Sequence, residues 1–234
     1  MTEVYALKLS EIEEETYEKL LLLVDRQKQD KVKKFYRRED SLRTLLADLL
    51  VRNLVIEKTN LRNEEISFSY NEYGKPTLND VENFHFNVSH SGEWIVCAVD
   101  SEPVGVDVEE IAPVDLDISR NYFSPDEHSD LLSQEDRIAY FFTLWTLKES
   151  YIKIVGKGLS LPLNSFSIRF SDEEIGIAAS GRKLDDTFFT QYDIDDKYKM
   201  AVCAQDKEFP SYVTHKSVDE LVHTFVESGG YLYN

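Results

Sequence analysis

The sequence predicts an α+β protein built from two similar halves, and three observations carry that reading. Ile66-Ser67-Phe68-Ser69 resembles Ser165-Phe166-Ser167-Ile168, and Ile95-Val96-Cys97-Ala98-Val99-Asp100 resembles Ala201-Val202-Cys203-Ala204-Gln205-Asp206. In each half a long apolar-striped helix precedes the first of these strands. The two matches share an offset of about 100 residues, the scale of a duplicated small domain rather than of a solenoid. A chain of 234 residues has room for two such units.

Ser10 with Glu13 has capping-box spacing, and Leu20 to Val24 is apolar, so a helix is expected over 10–24. The charge then inverts. Arg26, Lys28, Lys31, Lys33, Lys34, Arg37 and Arg38 fall in one stretch with a single acid, Asp30, and Val32, Phe35 and Tyr36 give it an apolar side at helical spacing. Leu42, Leu45, Leu46, Leu49 and Ile56 mark a longer helix over 40–57. Ile66, Phe68 and Tyr70 alternate with polar residues as a half-buried strand does. Tyr73-Gly74-Lys75-Pro76 reads as a turn. Strands are expected over 84–88, 94–99 and 104–108, with turns at Ser89-His90-Ser91-Gly92 and Asp100-Ser101-Glu102-Pro103.

In the second half, Ser124, Pro125 and Glu127 supply the N-cap, the first-turn proline and the box partner of a helix. A long helix should cover 136–154 and break at Leu161-Pro162-Leu163. Strands are expected over 165–170, 173–179, 187–194 and 197–204. Ser217 with Glu220 opens a last helix ending near Gly229-Gly230, and Tyr231 to Asn234 reads as a frayed tail. The expected organisation is an N-terminal subdomain over 1–103, a C-terminal subdomain over 104–227 and a tail over 228–234.

Composition narrows the function. The 26 Lys and Arg stand against 44 Asp and Glu, a formal charge of −18. That acidity argues against general nucleic-acid binding, which needs clustered cations to displace counterions. The 42% hydrophobic content supports a buried core. No apolar run reaches the ~20 residues of a membrane span, and the opening residues lack a signal-peptide layout. Two cysteines, Cys97 and Cys203, suit neither a disulfide framework nor a cysteine zinc site. A reduced, cytoplasmic protein with no nucleic-acid or membrane partner is the expectation.

Four groups could carry chemistry. In Val104-Gly105-Val106-Asp107-Val108-Glu109, Asp107 and Glu109 share one strand face. Adjacent carboxylates repel and suit a hard cation such as Mg²⁺, although a solvated face of an acidic protein would look the same. In Trp145-Thr146-Leu147-Lys148-Glu149-Ser150-Tyr151-Ile152-Lys153, the residues Trp145, Glu149 and Lys153 share a helix face. That places a third carboxylate beside a cation, or describes an ordinary Glu–Lys surface pair. His90, among Ser89, Ser91 and Gly92, could donate to an anion or simply cap its turn; no nucleophile elbow surrounds Ser89. His85, His128, His215 and His223 have no metal-ligand spacing. The basic stretch, with Lys28 and Lys31 on one helical face and Arg43 nearby, is either a solubilising surface or a pocket for a phosphate-rich ligand. Taken together, the groups suggest a Mg²⁺-dependent enzyme acting on a small molecule bearing several phosphates.

At these motifs the sequence resembles the surfactin-type (Sfp-type) 4′-phosphopantetheinyl transferases. The resemblance rests on Tyr73-Gly74-Lys75-Pro76, Phe86-Asn87-Val88-Ser89-His90-Ser91-Gly92, Val104 to Glu109 and Trp145 to Lys153. Phe35 to Asp40 followed by Arg43-Thr44-Leu45-Leu46 also resembles the family's N-terminal helical region. The likeness runs from about residue 5 to about 220, and the Gly-Val-Asp-Val-Glu and Trp-x-x-Lys-Glu-Ser-x-x-Lys motifs, in this order, are its specific part.

The resemblance implies two similar α/β subdomains related by pseudo-two-fold symmetry, with the active site between them. It implies transfer of the 4′-phosphopantetheine arm of coenzyme A to a serine of an apo peptidyl or acyl carrier protein, with release of 3′,5′-ADP. Asp107, Glu109 and Glu149 would hold Mg²⁺, with Mn²⁺ as the other candidate ion. Lys28, Lys31, Arg43 and His90 would hold the 3′-phosphate. Thr44 and Ser89 would contact phosphates, and Tyr73, Gly74, Lys75 and Pro76 would line the adenine pocket. Lys148 and Lys153 would face the pyrophosphate. Glu149, or a water next to it, would accept the serine proton. Since one chain would supply both halves of the site, a monomer meeting its carrier transiently is expected. Leu116 to Phe123, with apolar and aromatic anchors, is expected to contribute to the carrier-docking surface or else to pack under the following helix. The rival readings are a Mg²⁺-dependent hydrolase of coenzyme A, which passes the group to water, and a binding module without turnover.

Overall fold

In the computed structural model the described residues are 1–171, 174–179 and 181–227. The expected end of the last helix and the tail lie outside them.

The chain opens with a strand the pattern reading passed over, β1 (Glu3–Lys8). Its apolar run Val4-Tyr5-Ala6-Leu7 is buried on both faces, so the alternation that marks a half-exposed strand is missing. Helix α1 spans Glu14–Leu21 and begins after Glu13 with no side-chain cap, so the expected Ser10 box does not form. Helix α2 (Arg26–Val32) is capped by Asp25, whose carboxylate accepts from the Lys28 amide. The basic stretch stops being helical there. Val32 is buried, whereas Phe35 and Tyr36 are exposed, so the expected apolar side does not continue. Helix α3 (Arg38–Thr59) is the long helix of the first half and ends at the left-handed Asn60.

Strands β2 (Phe68–Tyr70) and β3 (Pro76–Leu78) form a small hairpin, and β4 (His85–Ser91), β5 (Trp94–Asp100) and β6 (Val104–Glu110) follow. Strand β4 runs through Ser89 and His90, which were expected in a turn; the turn is tighter, at Gly92 with φ +51°. After a short helix α4 (Ser119–Tyr122) comes α5 (Pro125–Ser133), which carries the Ser124–Glu127 capping box read from the sequence. Helix α6 (Arg137–Val155) ends at the left-handed Gly156. Strands β7 (Phe166–Phe170), β8 (Ile175–Ala179), β9 (Arg182–Gln191) and β10 (Tyr198–Ala204) complete the second half. The ninth strand starts and stops earlier than the 187–194 expected. Strand β11 (Thr214–Lys216) and helix α7 (Val218–Glu227) close the described chain, α7 behind a reciprocal Ser217–Glu220 box.

The duplication is visible in the connectivity. One sheet is ordered β11-β1-β5-β4 and the other β6-β10-β9-β8-β7. In both, the first strand of the half pairs antiparallel with its last, which pairs antiparallel with the one before (β1-β5-β4 and β6-β10-β9). Each half sends its long helix between the first strand and the rest. The molecule is α+β with two such units.

The two sheets pack face to face. Val4, Ala6, Trp94, Val96 and Ala98 of the first meet Val104, Val106, Val108, Met200 and Val202 of the second in one apolar layer. The opposite face of the first sheet, through Tyr5, Leu7, Ile95 and Cys97, packs on α1, α2, α3 and α7. The opposite face of β10, through Ala201 and Cys203, packs in the core under α6. The segment 214–227, assigned from the sequence to the 104–227 unit, returns to the first half instead. Strand β11 pairs parallel with β1, and Leu221 and Phe225 enter the first core. Removing its apolar face from water drives that return.

Candidate functional site

The site is built where β4, β6 and α6 converge. Strand β6 presents Val106 and Val108 to the inter-sheet layer, so period-two alternation turns Gly105, Asp107 and Glu109 to the opposite face. Helix α6 crosses that face so closely that a Cβ on Gly105 would be driven into the Ser150 carbonyl oxygen and would lie 2.9 Å from the Ile154 nitrogen. Glycine at 105 is therefore what allows α6 to bring Glu149 and Lys153 down onto Asp107.

Strand β4 flanks β6 without a backbone ladder and is tied to it by side chains. Asn87 Oδ1 accepts from the Val106 amide at 2.9 Å. Ser89 Oγ donates to Asp107 Oδ1 at 2.8 Å, and Ser91 Oγ donates to Glu109 Oε2 at 2.9 Å. These three polar residues share one face of β4 and hold the two halves in register.

Lys153 fills the centre. Its Nζ donates to Asp107 Oδ1 at 2.6 Å, to Ser89 Oγ at 2.7 Å and to the Val106 carbonyl at 3.1 Å. Asp107 is buried, and its second oxygen, Oδ2, has no hydrogen-bond partner. A buried carboxylate oxygen without a partner costs roughly 1–3 kcal/mol, more when charged. Glu109 is pushed up to about 7 by burial and then by the Asp107 charge, with Glu149 adding to the rise and Ser91 and Lys153 opposing it. Glu149 is raised by burial and by Asp107, against Lys153. Three carboxylates thus share one field with a single ammonium among them. The hard oxygen donors and the orphaned Oδ2 fit a divalent cation. Among the described residues, however, no three His, Cys, Asp or Glu side chains stand at metal-ligand spacing. Lys153 occupies Asp107 Oδ1, and the carboxylates are gathered but not closed around a point.

A cleft of about 540 Å³ opens beside this centre, with Ser89, His90 and Lys153 at its inner end. Lys28 and Lys31 of α2 line it together with Asp40 and Asp48 of α3, and Thr44 adds a hydroxyl from α3. Phe68, Tyr70 and Phe86 form an apolar wall, and Gly74 and Pro76 form its rim. Lys28 is set by Asp48, whose Oδ1 lies 2.9 Å from its ammonium while Oδ2 accepts from the buried Arg52 at 2.8 Å. His90 lines the cleft beside Ser89. Desolvation, then the Arg43 and Lys153 charges, hold its imidazole below the usual histidine range.

Sequence reasoning missed Asp48, Arg52 and the aromatic wall. The i, i+4 spacing of Asp48 and Arg52 in an otherwise apolar helix was the available signal for the pair. The wall had no comparable signal, since aromatic residues at strand spacing read first as core.

Not every expected residue faces the cleft. Arg43 lies at its edge, donating to the Gly92 carbonyl at 2.6 Å and paired with Asp40. Tyr73 is exposed on the turn and does not line the cleft. The Lys75 ammonium points away from it, to the Lys153 and Ile154 carbonyls. Lys148 is the clearest correction. One residue before Glu149, it lies about 100° round the helix and is fully buried in the second half's core. Its Nζ donates to both Glu127 oxygens and to the Phe166 carbonyl, each at 2.8 Å. Burial lowers its pKa and Glu127 opposes the shift. It has no path to a ligand in the cleft. In the segment 116–123, Phe123 is buried against Phe141, whereas Tyr122 is exposed with its ring edge toward Trp145. No helix among the described residues is long and apolar enough to cross a membrane.

Comparison with known proteins places this geometry. The sequence profile of the 4′-phosphopantetheinyl transferase superfamily matches residues 103–203, and that of the 4′-phosphopantetheinyl transferase N-terminal region matches residues 11–102. The chain is 42% identical over 218 residues to the 4′-phosphopantetheinyl transferase Sfp of Bacillus subtilis, covering 90% of this chain and 95% of that protein. It is 36% identical over 222 residues to the 4′-phosphopantetheinyl transferase gsp of Aneurinibacillus migulanus, covering 94% and 92%. A more distant relative, 28% identical over 204 residues, is the L-aminoadipate-semialdehyde dehydrogenase-phosphopantetheinyl transferase of Mus musculus, with 76% and 66% covered.

Proposed function

The chain belongs to the Sfp-type 4′-phosphopantetheinyl transferases, and from that premise we propose how its residues carry out the transfer. The reaction moves the 4′-phosphopantetheine arm of coenzyme A to a serine hydroxyl of an apo carrier protein. The serine oxygen forms a bond to the β-phosphorus, the bond from that phosphorus to the bridging oxygen breaks, and 3′,5′-ADP leaves. The serine proton must go to a base.

In this reading the cleft takes the nucleotide end of coenzyme A. Lys28, Lys31 and His90 hold the 3′-phosphate, with Arg43 adding charge from the edge. Thr44 and Ser89 contact phosphate oxygens, and the Gly74–Pro76 rim with the aromatic wall takes the adenine. Lysines lining the cleft of a strongly acidic protein place positive charge where a polyanion must enter.

Asp107, Glu109 and Glu149 would hold Mg²⁺, with Mn²⁺ the alternative. The orphaned Asp107 oxygen and the mutual repulsion of the three carboxylates support that assignment. When bound, such an ion supplies Lewis-acid neutralisation of the pyrophosphate oxygens. Lys153, already at the centre, offsets charge on the phosphoryl group and the departing nucleotide. Glu149, or a water next to it, accepts the serine proton. The exposed Tyr122 beside Trp145, with Leu116 and Ile118, forms part of the carrier-docking face, and the carrier is of the peptidyl or acyl class. The enzyme works as a cytoplasmic monomer.

The observation that carries the reading is Lys153, which lines the cleft with Lys28, Lys31 and His90 while its ammonium donates to Asp107. Intact-mass spectrometry of an apo peptidyl or acyl carrier protein, incubated with this protein, coenzyme A and Mg²⁺, tests it. A gain of about 340 Da, the phosphopantetheine group, lost with EDTA is expected. Consumption of coenzyme A with no mass gain on either carrier would replace the transferase by a hydrolase.

A further inference from the structure

The Tyr73–Pro76 turn does something besides forming the rim of the cleft, and its second role is carried by two side chains that point the other way. Asn71 Oδ1 accepts from the amides of Tyr73 and Lys75, each at 2.9 Å, and so shapes the turn. Asn71 Nδ2 donates to the Gly156 carbonyl at 2.8 Å, 85 residues further along the chain. Lys75 Nζ donates to the Lys153 carbonyl at 2.7 Å and to the Ile154 carbonyl at 3.1 Å.

These acceptors belong to the end of α6. The last four carbonyls of a helix have no partner within it, and a cation there also meets the negative end of the helix dipole. Among the described residues Lys75 has no carboxylate partner. It is half-buried, which lowers its pKa, and its Nζ donates to these two carbonyls. The approach is close: a Cβ on Gly156 would lie 2.9 Å from Lys75 Cδ and 3.4 Å from Asn71 Nδ2. Gly156 is also left-handed, at φ +75°. It is therefore required twice, by conformation and by proximity.

One residue is held at both ends by this arrangement. The backbone carbonyl of Lys153 is fixed by Lys75, and its ammonium lies on Asp107 and Ser89. We infer that Asn71 and Lys75 form a clasp that positions Lys153 for transfer, coupling the nucleotide rim of the cleft to the end of the catalytic helix. Lys75 is then a positioning residue rather than a wall of the adenine pocket. The inference rests on the transferase reading above. A misplacement of about 1 Å at a reacting centre can cost up to 100-fold in rate, so a loosened clasp should appear mainly in turnover.

The test uses Lys75→Met, Lys75→Arg, Asn71→Asp and Gly156→Ala in the full chain. Asn71→Asp keeps the acceptor that shapes the turn and removes the donor to Gly156. Gly156→Ala acts on the clasp from α6, away from the cleft. For each variant, kcat and KM for coenzyme A are measured at saturating carrier. The Kd of 3′,5′-ADP is measured by calorimetry, and thermal unfolding confirms a folded population.

In Lys75→Met, Asn71→Asp and Gly156→Ala, kcat should fall about tenfold or more while the 3′,5′-ADP Kd stays within about twofold. Lys75→Arg, which keeps a donor, should recover most of kcat. Two results would overturn the clasp. One is a kcat within about twofold of the unmutated protein in all three disrupting variants. The other is a nucleotide Kd that rises as much as kcat falls, which would return Lys75 to the adenine pocket. An unmutated protein that binds 3′,5′-ADP but transfers nothing would overturn the transferase reading, and the clasp with it.

Discussion

Lys148 sits inside the Trp145–Lys153 motif of α6, yet its surroundings assign it to the core, and replacing it by methionine separates the two roles. Lys148 is 0% and Glu127 2% exposed. The Glu127 carboxylate receives four hydrogen bonds from three donors: two from Lys148 Nζ, one from the Ser124 amide at 2.7 Å and one from the Ile168 amide at 2.7 Å. It therefore joins α5, α6 and β7 at one point. Removing the ammonium leaves that carboxylate buried with two amides as its remaining donors. Breaking a buried pair from one side costs about 3–5 kcal/mol, a large part of the ~5–15 kcal/mol that holds a typical domain. Lys148→Met should therefore lower the urea midpoint sharply. The Glu127→Gln, Lys148→Met double variant should be less destabilised than the sum of the two singles, because no charge is stranded. Transfer activity of Lys148→Met, assayed where the variant is still folded, should stay within about tenfold of the unmutated protein. A variant of unchanged stability whose kcat has fallen a thousandfold would refute the reasoning and place the ammonium on substrate.

Other outcomes follow from the same geometry. Glu149→Gln should lower kcat by about 10²–10⁴, the range for loss of a general base, while the 3′,5′-ADP Kd changes little; near-normal turnover would remove Glu149 from that role. His90 is held below the usual range by desolvation and by Arg43 and Lys153, so it is neutral at pH 7 until a phosphate favours its charged form. Coenzyme A binding at pH 7 should then take up protons, and calorimetry in buffers of different ionisation enthalpy should find a smaller uptake for His90→Gln than for the unmutated protein; equal uptake would remove His90 from the phosphate. Lys28→Ala should weaken coenzyme A more than 3′-dephospho-coenzyme A, and equal losses for both would move Lys28 off the 3′-phosphate. Gly105→Ala must push α6 away from β6 and should cost about 1–3 kcal/mol in denaturant unfolding together with a fall in kcat.

What could be read from the sequence follows from where periodicity survives. Asp107 and Glu109 were placed on one face because β6 alternates, and Glu149 and Lys153 because α6 repeats at four residues; spacing left each open to a solvated-surface reading, and the family resemblance supplied the roles. The duplicated order of elements appeared for the same reason. Strand β1 was missed because it lies in the middle of the layers: Tyr5 and Leu7 face the helices, Val4 and Ala6 face the second sheet, and no polar residue alternates between them. The return of β11 and α7 to the first half was equally hidden. Parallel pairing between Tyr5 and Thr214 is a fact of topology that no local window contains.

Lys148 and Lys75 show the sharper limit. A motif fixes spacing along the chain, and spacing on a helix fixes only an angle. Whether that angle points to ligand or to core depends on what packs there. For Lys148 it is Glu127, 21 residues back; for Lys75 it is the end of α6, 78 residues on. Both lysines donate to acceptors in a different element and so help fix where α6 lies. Glu149 and Lys153 on that helix reach Asp107 only because Gly105 gives α6 room and these contacts hold it in place. The face that carries Glu149 and Lys153 is thus legible as a pattern, whereas the groups that aim it lie on neighbouring faces and distant turns, where the same residue types carry no distinguishing period.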